Sequence, residues 1–151
     1  MKRVLVACEC SGTVRDAFRS RGYDAWSCDI IDSDEPSEYH IKGDALDQFQ
    51  FGWDLIIAHP PCTYLCNSGV RWLSTDPTRW AKMKDGAEFF KKFLDTGCPR
   101  ICIENPIMHK HAKAIIGVDY TQIVQPWQFG HGETKATCLW LQNLPPLQPT
   151  N

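Results

Sequence analysis

Short apolar runs, each closed by a turn, organise most of the chain. Such near-continuous runs are typical of strands buried on both faces of a parallel sheet. They occupy residues 3–8, 24–28, 55–58 and 100–103, and a weaker run at 39–42 predicts one more short strand. The hydrophobic pattern therefore predicts a sheet whose strands are mostly parallel.

Helical periodicity separates these runs. Apolar residues recur at helical spacing after Thr13, a candidate N-cap, and Gly22 is expected to end this first helix. A longer helix is predicted over residues 77–95, and a short helix over 108–116. The apolar stripe of the longer helix is expected to pack in the core, and it consists of Trp80, Met83, Ala87, Phe90 and Leu94.

Strands that alternate with helices indicate the α/β class. We expect a single doubly wound, Rossmann-like domain over residues 1–151. Two further runs at 121–124 and 137–141 predict a C-terminal antiparallel hairpin at the end of the mostly parallel sheet. Residues 63–77, which are rich in Asn, Ser, Gly and Thr, are expected to form a long loop of the kind that covers or binds at a site.

Composition narrows the class of protein. Of the 151 residues, 43% are hydrophobic and 23% charged, ordinary values for a soluble globular protein. The net charge of −2 gives no bulk attraction to nucleic acid, so any such contact needs a local basic patch. No apolar stretch is long enough to span a membrane or to serve as a signal peptide, and we expect a cytoplasmic protein.

Eight cysteines raise the question of a metal or of disulfides. No Cys-x-x-Cys pair occurs, although Cys62 with Cys66 and Cys98 with Cys102 share a four-residue spacing that makes zinc conceivable. In a cytoplasmic protein, reduced and mostly buried thiols are the simpler interpretation. We therefore expect no metal.

The segment from Asp54 to Cys66 carries the main candidate for chemistry. Its apolar strand stops at His59-Pro60-Pro61, because proline lacks a backbone N–H and cannot continue a ladder. Cys62 thus follows the carboxyl end of a central strand, at the rim where open α/β sheets bind ligands. The thiol is either a nucleophile or simply a small buried side chain, since cysteine is among the most buried residue types.

A second polar turn follows the next buried strand. Glu104-Asn105-Pro106 comes directly after the run 100–103, so Glu104 is expected at the same rim as Cys62. A glutamate in this position is more often a surface carboxylate or one near a helix N-terminus. Its pairing with Cys62 is what favours a catalytic role.

The first strand–helix–strand unit is typical of a nucleotide-binding half of a doubly wound fold. Its turn is Cys8-Glu9-Cys10-Ser11-Gly12, and Asp29 stands at the end of the second strand. The turn is not Gly-x-Gly-x-x-Gly, which argues against a pyrophosphate-binding loop. A cofactor with a ribose but no pyrophosphate suits this unit better.

In this order, these motifs resemble those of the DNA (cytosine-5) methyltransferases, over most of residues 3–141. Pro61-Cys62 resembles the catalytic Pro-Cys motif of the family, and Glu104-Asn105 resembles its Glu-Asn motif. Gly43-Asp44 resembles the Gly-Asp on the adenine side of the cofactor, and residues 129–137 resemble the Gly…Gln-x-Arg-x-Arg segment. The chain looks like a compact, phage-type member or relative.

The resemblance implies an S-adenosyl-L-methionine-dependent enzyme that methylates carbon 5 of cytosine, or of a related pyrimidine, in DNA or in a nucleotide. It implies three catalytic residues: Cys62 as the nucleophile, Glu104 as the group that binds the base, and Lys135. A thiolate needs a nearby positive charge to lower its pKa, and His59 and Lys135 are the two candidates. The implied cofactor-binding residues are Cys8, Glu9, Ser11, Gly12, Asp29, Asp44 and Pro60.

The sequence departs from this family in three places. Glu133-x-Lys135-x-Thr137 lacks both arginines, Pro106 replaces a small aliphatic residue, and an acid interrupts the cofactor loop. We also expect no separate target-recognition domain. The form of the substrate therefore stays open among duplex DNA, a single strand and a free nucleotide. A second copy of the chain or a partner chain is a candidate to complete the site.

Two other functions stay open. The first is a non-catalytic binding protein that keeps the fold without turnover. The second is an amino-group DNA methyltransferase, because His59-Pro60-Pro61-Cys62 also resembles the Asp/Asn-Pro-Pro-Tyr motif of that class. In that class Cys62 is dispensable.

Overall fold

The structure is a computed structural model that describes residues 2–151. The strands are β1 (Arg3–Ala7), β2 (Asp24–Asp29), β3 (His40–Lys42), β4 (Leu55–Ala58), β5 (Ile101–Pro106), β6 (Gln122–Val124) and β7 (Thr137–Gln142). The α-helices are α1 (Thr13–Arg19), α2 (Thr78–Leu94) and α3 (Lys110–Ile116). Shorter 3-10 helices occupy Ala45–Phe51, Asn67–Ser74 and Pro126–Phe129.

The strands form one seven-stranded sheet in the order β3-β2-β1-β4-β5-β7-β6. The five strands from β3 to β5 run parallel, and β7 is antiparallel to both of its neighbours. This confirms the predicted α/β class, the mostly parallel sheet and the C-terminal antiparallel pair. Because the strand order reverses direction at β1 and β4, a crevice opens beyond their carboxyl ends.

The two faces of the sheet bury separate apolar groups. Val4 and Val6 of β1 pack against Val14 and Phe18 of α1 on one face. Leu5 and the other alternate residues face the larger core, which α2 and α3 cover. Side chains of successive strand residues point to opposite faces, so a continuous apolar run is what this two-sided burial requires.

The stripe predicted for α2 is partly wrong. Met83, Ala87 and Phe90 are buried as expected, but Phe93 takes the last core position and Leu94 is only half-buried. Trp80, at the other end of the stripe, is 38% exposed. The first turn of α2 therefore extends beyond the core that the helix covers.

Both predicted ends of α1 are also wrong. The N-cap is Gly12, at φ 76°, and Thr13 is the first helical residue and makes no side-chain cap. The helix ends at Arg19 with Ser20 as its C-cap, and Gly22, at φ 88°, lies in the turn beyond it. A glycine at Gly12 is required by both the positive φ and the close approach of the Arg15 side chain.

Two other predictions change at the rim of the sheet. Residues 63–77 are not all loop, because the 3-10 helix Asn67–Ser74 forms there. The strand predicted to stop at residue 103 continues to Pro106, since β7 pairs with β5 over its whole length. The parallel neighbour β4 ends at Ala58, opposite Ile103, so Glu104 still lies beyond the parallel part of the sheet.

Among residues 2–151, no helix has both the length and the apolar character needed to cross a membrane. In the same residues, no group of three or more His, Cys, Asp or Glu side chains is arranged to hold a metal ion. All eight cysteines are free thiols.

Candidate active site

The turn after β4 presents Cys62. The backbone N–H of His59 still donates to the carbonyl of Ala7, 3.0 Å away, and the two prolines then carry the chain out of the sheet. The carbonyl of Cys62 accepts from the N–H groups of Leu65 and Cys66, at 2.9 and 3.1 Å, which closes a compact turn. The Cys62 side chain is partly exposed at the rim of the sheet.

Glu104 meets the same turn through His59. Nδ1 of His59 lies 3.0 Å from Oε2 of Glu104, and each side chain is 28% exposed. Nε2 of His59 is buried and has no hydrogen-bond partner among the described residues. Nδ1 is therefore the ring nitrogen placed to donate its N–H to the carboxylate.

Asn105 makes a second contact between β5 and the Cys62 turn. Its Nδ2 donates to the carbonyl of Pro60 at 2.9 Å, and the side chain is almost fully buried. Its Oδ1 is buried without a partner among the described residues. The structure thus places Glu104 at the same rim as the Cys62 turn, and the side chains of Glu104 and Asn105 in β5 hold that turn.

The environment of Cys62 favours the thiol over the thiolate. Burial raises its pKa above the ordinary value of 9.0, and the nearby Cys66 and Glu104 act in the same direction. Lys135 lowers this pKa by its positive charge. Lys135 therefore lies close enough to influence the thiol, although its side chain is exposed and its backbone N–H donates to Gln125.

A cleft of about 410 Å³ opens beside this turn, beyond the carboxyl ends of β1, β2 and β4. Its wall includes three of the predicted cofactor residues, namely Cys8, Asp29 and Asp44. His59 and Pro61 form the side of the cleft next to Cys62. The volume is in the range of small-molecule and cofactor sites.

Two carboxylates dominate the charge of this cleft. Asp29 accepts the N–H of Ile31 at 3.3 Å and Asp44 accepts that of Leu46 at 2.9 Å, in each case through Oδ1. Burial raises the pKa of Cys8 to about 12, and the charges of Asp29 and Asp44 add to the effect. The cleft is consequently electronegative and suits a ligand that carries positive charge or donates hydrogen bonds.

The first turn of α1 is already occupied by a carboxylate. Oε1 of Glu9 accepts the N–H of Val14 at 2.8 Å, and Oε2 accepts that of Arg15 at 3.3 Å. Ser11 donates its hydroxyl to Oε1 at 3.2 Å. Because Glu9 takes the N–H groups that would bind a phosphate at a helix N-terminus, this loop does not offer a pyrophosphate site.

The other predicted cofactor residues lie around the cleft, not in its wall. Glu9 and Ser11 line a second, adjoining cleft, which Cys8 and His59 also border. Gly12 is the buried N-cap of α1, and Pro60 is buried with its carbonyl bound to Asn105.

Sequence reasoning missed several residues of the wall. Ile30 borders the cleft and is 74% exposed, and Gly86 and Phe89 of α2 close it from the other side. The pair of isoleucines directly after Asp29, ahead of a polar segment, was the available signal for Ile30. The pairing of His59 with Glu104 had no such signal, because 45 residues separate them in sequence.

No protein-family model and no curated protein matches the sequence. The fold is similar to that in the crystal structure of a candidate DNA modification methyltransferase encoded within a prophage of E. coli. The TM-score is 0.54 at 15% sequence identity, over 93% of this chain and 46% of that one. The chain thus spans about half the length of that protein, and at this identity the likeness concerns the fold.

Proposed function

We propose that this chain is an S-adenosyl-L-methionine-dependent methyltransferase that acts on carbon 5 of a pyrimidine, with cytosine in DNA as the first candidate. One arrangement carries the proposal: Glu104 and Asn105 of β5 hold the turn that presents Cys62, through His59 and the Pro60 carbonyl, beside an electronegative cleft. The likeness to a protein described as a DNA modification methyltransferase supports the fold that this function requires.

The residues of the cleft suit the cofactor. S-adenosyl-L-methionine has a ribose and a positively charged sulfur but no phosphate, and its bound role is to supply a methyl group. Asp29 and Asp44 have oxygens available for hydroxyl and amine donors, and Ile30 and Phe89 give apolar walls. Glu9 disfavours a pyrophosphate-containing cofactor, because its carboxylate already accepts the N–H groups at the N-terminus of α1.

The roles of the chain's own residues follow from the chemistry of the ring. Carbon 5 of a pyrimidine is a poor nucleophile until a thiolate adds to carbon 6, so Cys62 would form a sulfur–carbon bond there. Glu104 would hold a proton at the ring nitrogen and so stabilise the electrons displaced by this attack. After methyl transfer to carbon 5, a solvent water would accept the carbon 5 proton, and the electron pair left behind would re-form the ring double bond. The carbon–sulfur bond then breaks to release the Cys62 thiolate, and the ring nitrogen returns its proton to Glu104.

Substitution of the nucleophile tests the proposal. Cys62→Ser is expected to abolish methyl transfer and to leave cofactor binding, measured by titration calorimetry, within about twofold of the unaltered protein. Cys66→Ser, four residues further along the same turn, is the matched control and is expected to retain activity. Transfer at the normal rate by Cys62→Ser would contradict the covalent mechanism.

A substrate that cannot complete the cycle separates this function from its rivals. With 5-fluorocytosine in place of cytosine, the proton that must leave carbon 5 is replaced by fluorine, so the adduct with Cys62 persists. Mass spectrometry is expected to find one oligonucleotide bound to the Cys62 peptide. Methyl transfer without an adduct would favour the amino-group reaction, and cofactor binding without transfer would favour a non-catalytic protein.

A further inference from the structure

Two tryptophans lie exposed close to the candidate nucleophile. Trp72, in the 3-10 helix Asn67–Ser74, is 47% exposed, and Trp80, in the first turns of α2, is 38% exposed. Exposed aromatic rings that lie among basic side chains are typical of surfaces that bind single-stranded nucleic acid. We define the basic–aromatic surface by these two residues together with Tyr64, Arg71, Arg79 and Lys82.

Contacts join this surface to the Cys62 turn. Arg79 donates from Nη2 to the carbonyl of Thr63, the residue after Cys62, at 3.3 Å. Its guanidinium also lies 4.8 Å from the centre of the Tyr64 ring, and Nζ of Lys82 lies 5.8 Å from the same centre. The surface is therefore continuous with the rim that presents the thiol.

Its two tryptophans are each held by a neighbour. The Trp80 ring contacts His111 of α3 edge-on, with 4.8 Å between ring centres. The guanidinium of Arg71 lies 4.8 Å from the centre of the Trp72 ring. Both rings are thus positioned beside positive or polar groups and still expose much of their area.

Charge is distributed unevenly along the chain. Residues 62–84 and 105–118 contain six lysines and arginines and one acid, Asp76. Residues 29–54, which include Asp29 and Asp44 of the cleft, contain eight acids and one base, Lys42. The net charge of −2 therefore conceals two basic segments, and the first of them carries the basic–aromatic surface.

We propose that the basic–aromatic surface binds single-stranded DNA and delivers an unpaired pyrimidine to Cys62. This inference rests on the proposed function and names the form of its substrate. Lysine and arginine bind phosphates of any nucleic acid, whereas exposed aromatic rings stack only on bases that are not already stacked in a duplex. The combination of both beside the thiol favours an unpaired strand.

Fluorescence anisotropy tests the proposal with a labelled single strand of about 12 nucleotides, a length within the range of known single-strand sites. The Cys62→Ser protein is used without cofactor, so that turnover does not interfere. It is expected to bind the single strand more tightly than the duplex of the same sequence. Trp72→Ala and Trp80→Ala are each expected to weaken binding about fivefold or more.

The chain offers matched controls at the opposite end of the sheet. Phe51 is 52% exposed, and Lys92 is an exposed residue in the last turn of α2. Phe51→Ala and Lys92→Ala are expected to leave binding unchanged. Arg79→Ala is expected to weaken binding and to reduce its dependence on salt concentration, because one phosphate contact is lost.

The outcomes separate this inference from the proposed function. Equal or tighter binding of the duplex, tighter binding of RNA of the same sequence, or normal binding by both tryptophan variants would each overturn the inference. Methyl transfer to cytosine alongside any of these results would leave the proposed function standing. Tight binding of single-stranded DNA with no transfer by the unaltered protein would support the surface and contradict the function.

Discussion

At the scale of single residues, Cys62 is a thiol that its surroundings keep protonated. Its pKa is raised, chiefly by burial, and only a small fraction is thiolate near neutral pH. The thiolate is the reactive form, so alkylation of Cys62 is expected to accelerate as pH increases up to that pKa. The rate is measured by mass spectrometry of the Cys62 peptide after brief treatment with iodoacetamide.

The effect of Lys135 on the Cys62 pKa can be tested with a variant. Its charge lowers the Cys62 pKa, so Lys135→Met is expected to raise that pKa and to slow alkylation at every pH below it. Lys113 acts instead on the pKa of Cys138, so Lys113→Met is the matched control and is expected to leave Cys62 unchanged. Equal rates in the Lys135 variant and the unaltered protein would mean that Lys135 does not influence the nucleophile.

Asn105 is predicted to hold the Cys62 turn against β5. Asn105→Ala removes a buried hydrogen bond to the Pro60 carbonyl, and the free energy of unfolding in urea is expected to fall by about 1–2 kcal/mol. Asn143 makes the same kind of bond, to the Pro99 carbonyl, at an exposed position. Asn143→Gly tolerates the φ of 55° there and is expected to change stability by less than about 0.5 kcal/mol.

If Asn143→Gly lost as much stability as Asn105→Ala, burial of the Asn105 hydrogen bond would not be the reason for its contribution to stability. Methyl transfer is a second measurement, since only Asn105 contacts the turn of Cys62. Under the proposed function, Asn105→Ala slows transfer and Asn143→Gly does not.

The positions of residues that directly follow a strand could be predicted from the sequence. Cys62 and Glu104 could both be placed at one rim, because parallel neighbouring strands end at the same edge of a sheet. The contact of His59 with Glu104 depends on side-chain direction, and Ile30 borders the cleft through the path of a loop. Neither property follows from periodicity or spacing.

At the scale of elements, the turn into α1 depends on the absence of a side chain at Gly12. A Cβ there would clash with Nη2 of Arg15, at a φ of 76°. Arg15 is buried and cannot easily move, since its guanidinium donates to Asp16 and, at 2.8 Å, to Ser27. Gly12→Ala therefore destabilises the fold in two ways: the Arg15 hydrogen bonds are lost, and alanine is strained at a positive φ.

We expect Gly12→Ala to reduce the free energy of unfolding by about 3 kcal/mol or more. Gly22 has a similar φ of 88°, but a Cβ there would meet nothing within 4 Å. Gly22→Ala is the matched control, with an expected loss of about 1–2 kcal/mol from backbone strain alone. Urea unfolding measures both, and equal losses would show that the contact with Arg15 costs nothing.

Elements with a continuous apolar run were predictable, and their ends were less so. The runs at β1, β2 and β4 are buried on both faces, which leaves little ambiguity. The extension of β5 to Pro106 depends on pairing with β7, more than 30 residues later in the sequence. Likewise, Phe93 replaces Leu94 in the core because it packs against Phe49 and Phe89, a choice that helical spacing alone does not make.

At the scale of the whole molecule, two regions of opposite charge border the Cys62 turn. The acidic region contains the cleft with Asp29 and Asp44, and the basic region contains the basic–aromatic surface. Under the proposed function, a positively charged cofactor and a polyanionic substrate would be attracted to different regions beside the Cys62 turn. Each would be repelled from the other's site, which reduces competition between them.

Cofactor binding is predicted to stabilise the whole chain, because the cleft is built from β1, β2, β4 and α2. At a concentration of S-adenosyl-L-methionine about 100 times its dissociation constant, linkage gives about 2.7 kcal/mol. For a chain of this size, the midpoint of thermal unfolding is expected to rise by about 5–10 °C.

Asp29→Asn removes the negative charge and keeps an oxygen that can accept the Ile31 N–H. The variant is therefore expected to fold normally and to lose most of the thermal shift. Asp32→Asn, three residues away, is the matched control, since Asp32 is exposed, lies outside the wall of the cleft and pairs with Lys42. A full shift in the Asp29 variant would place the cofactor elsewhere, because a ligand held through this carboxylate cannot bind equally well without its charge.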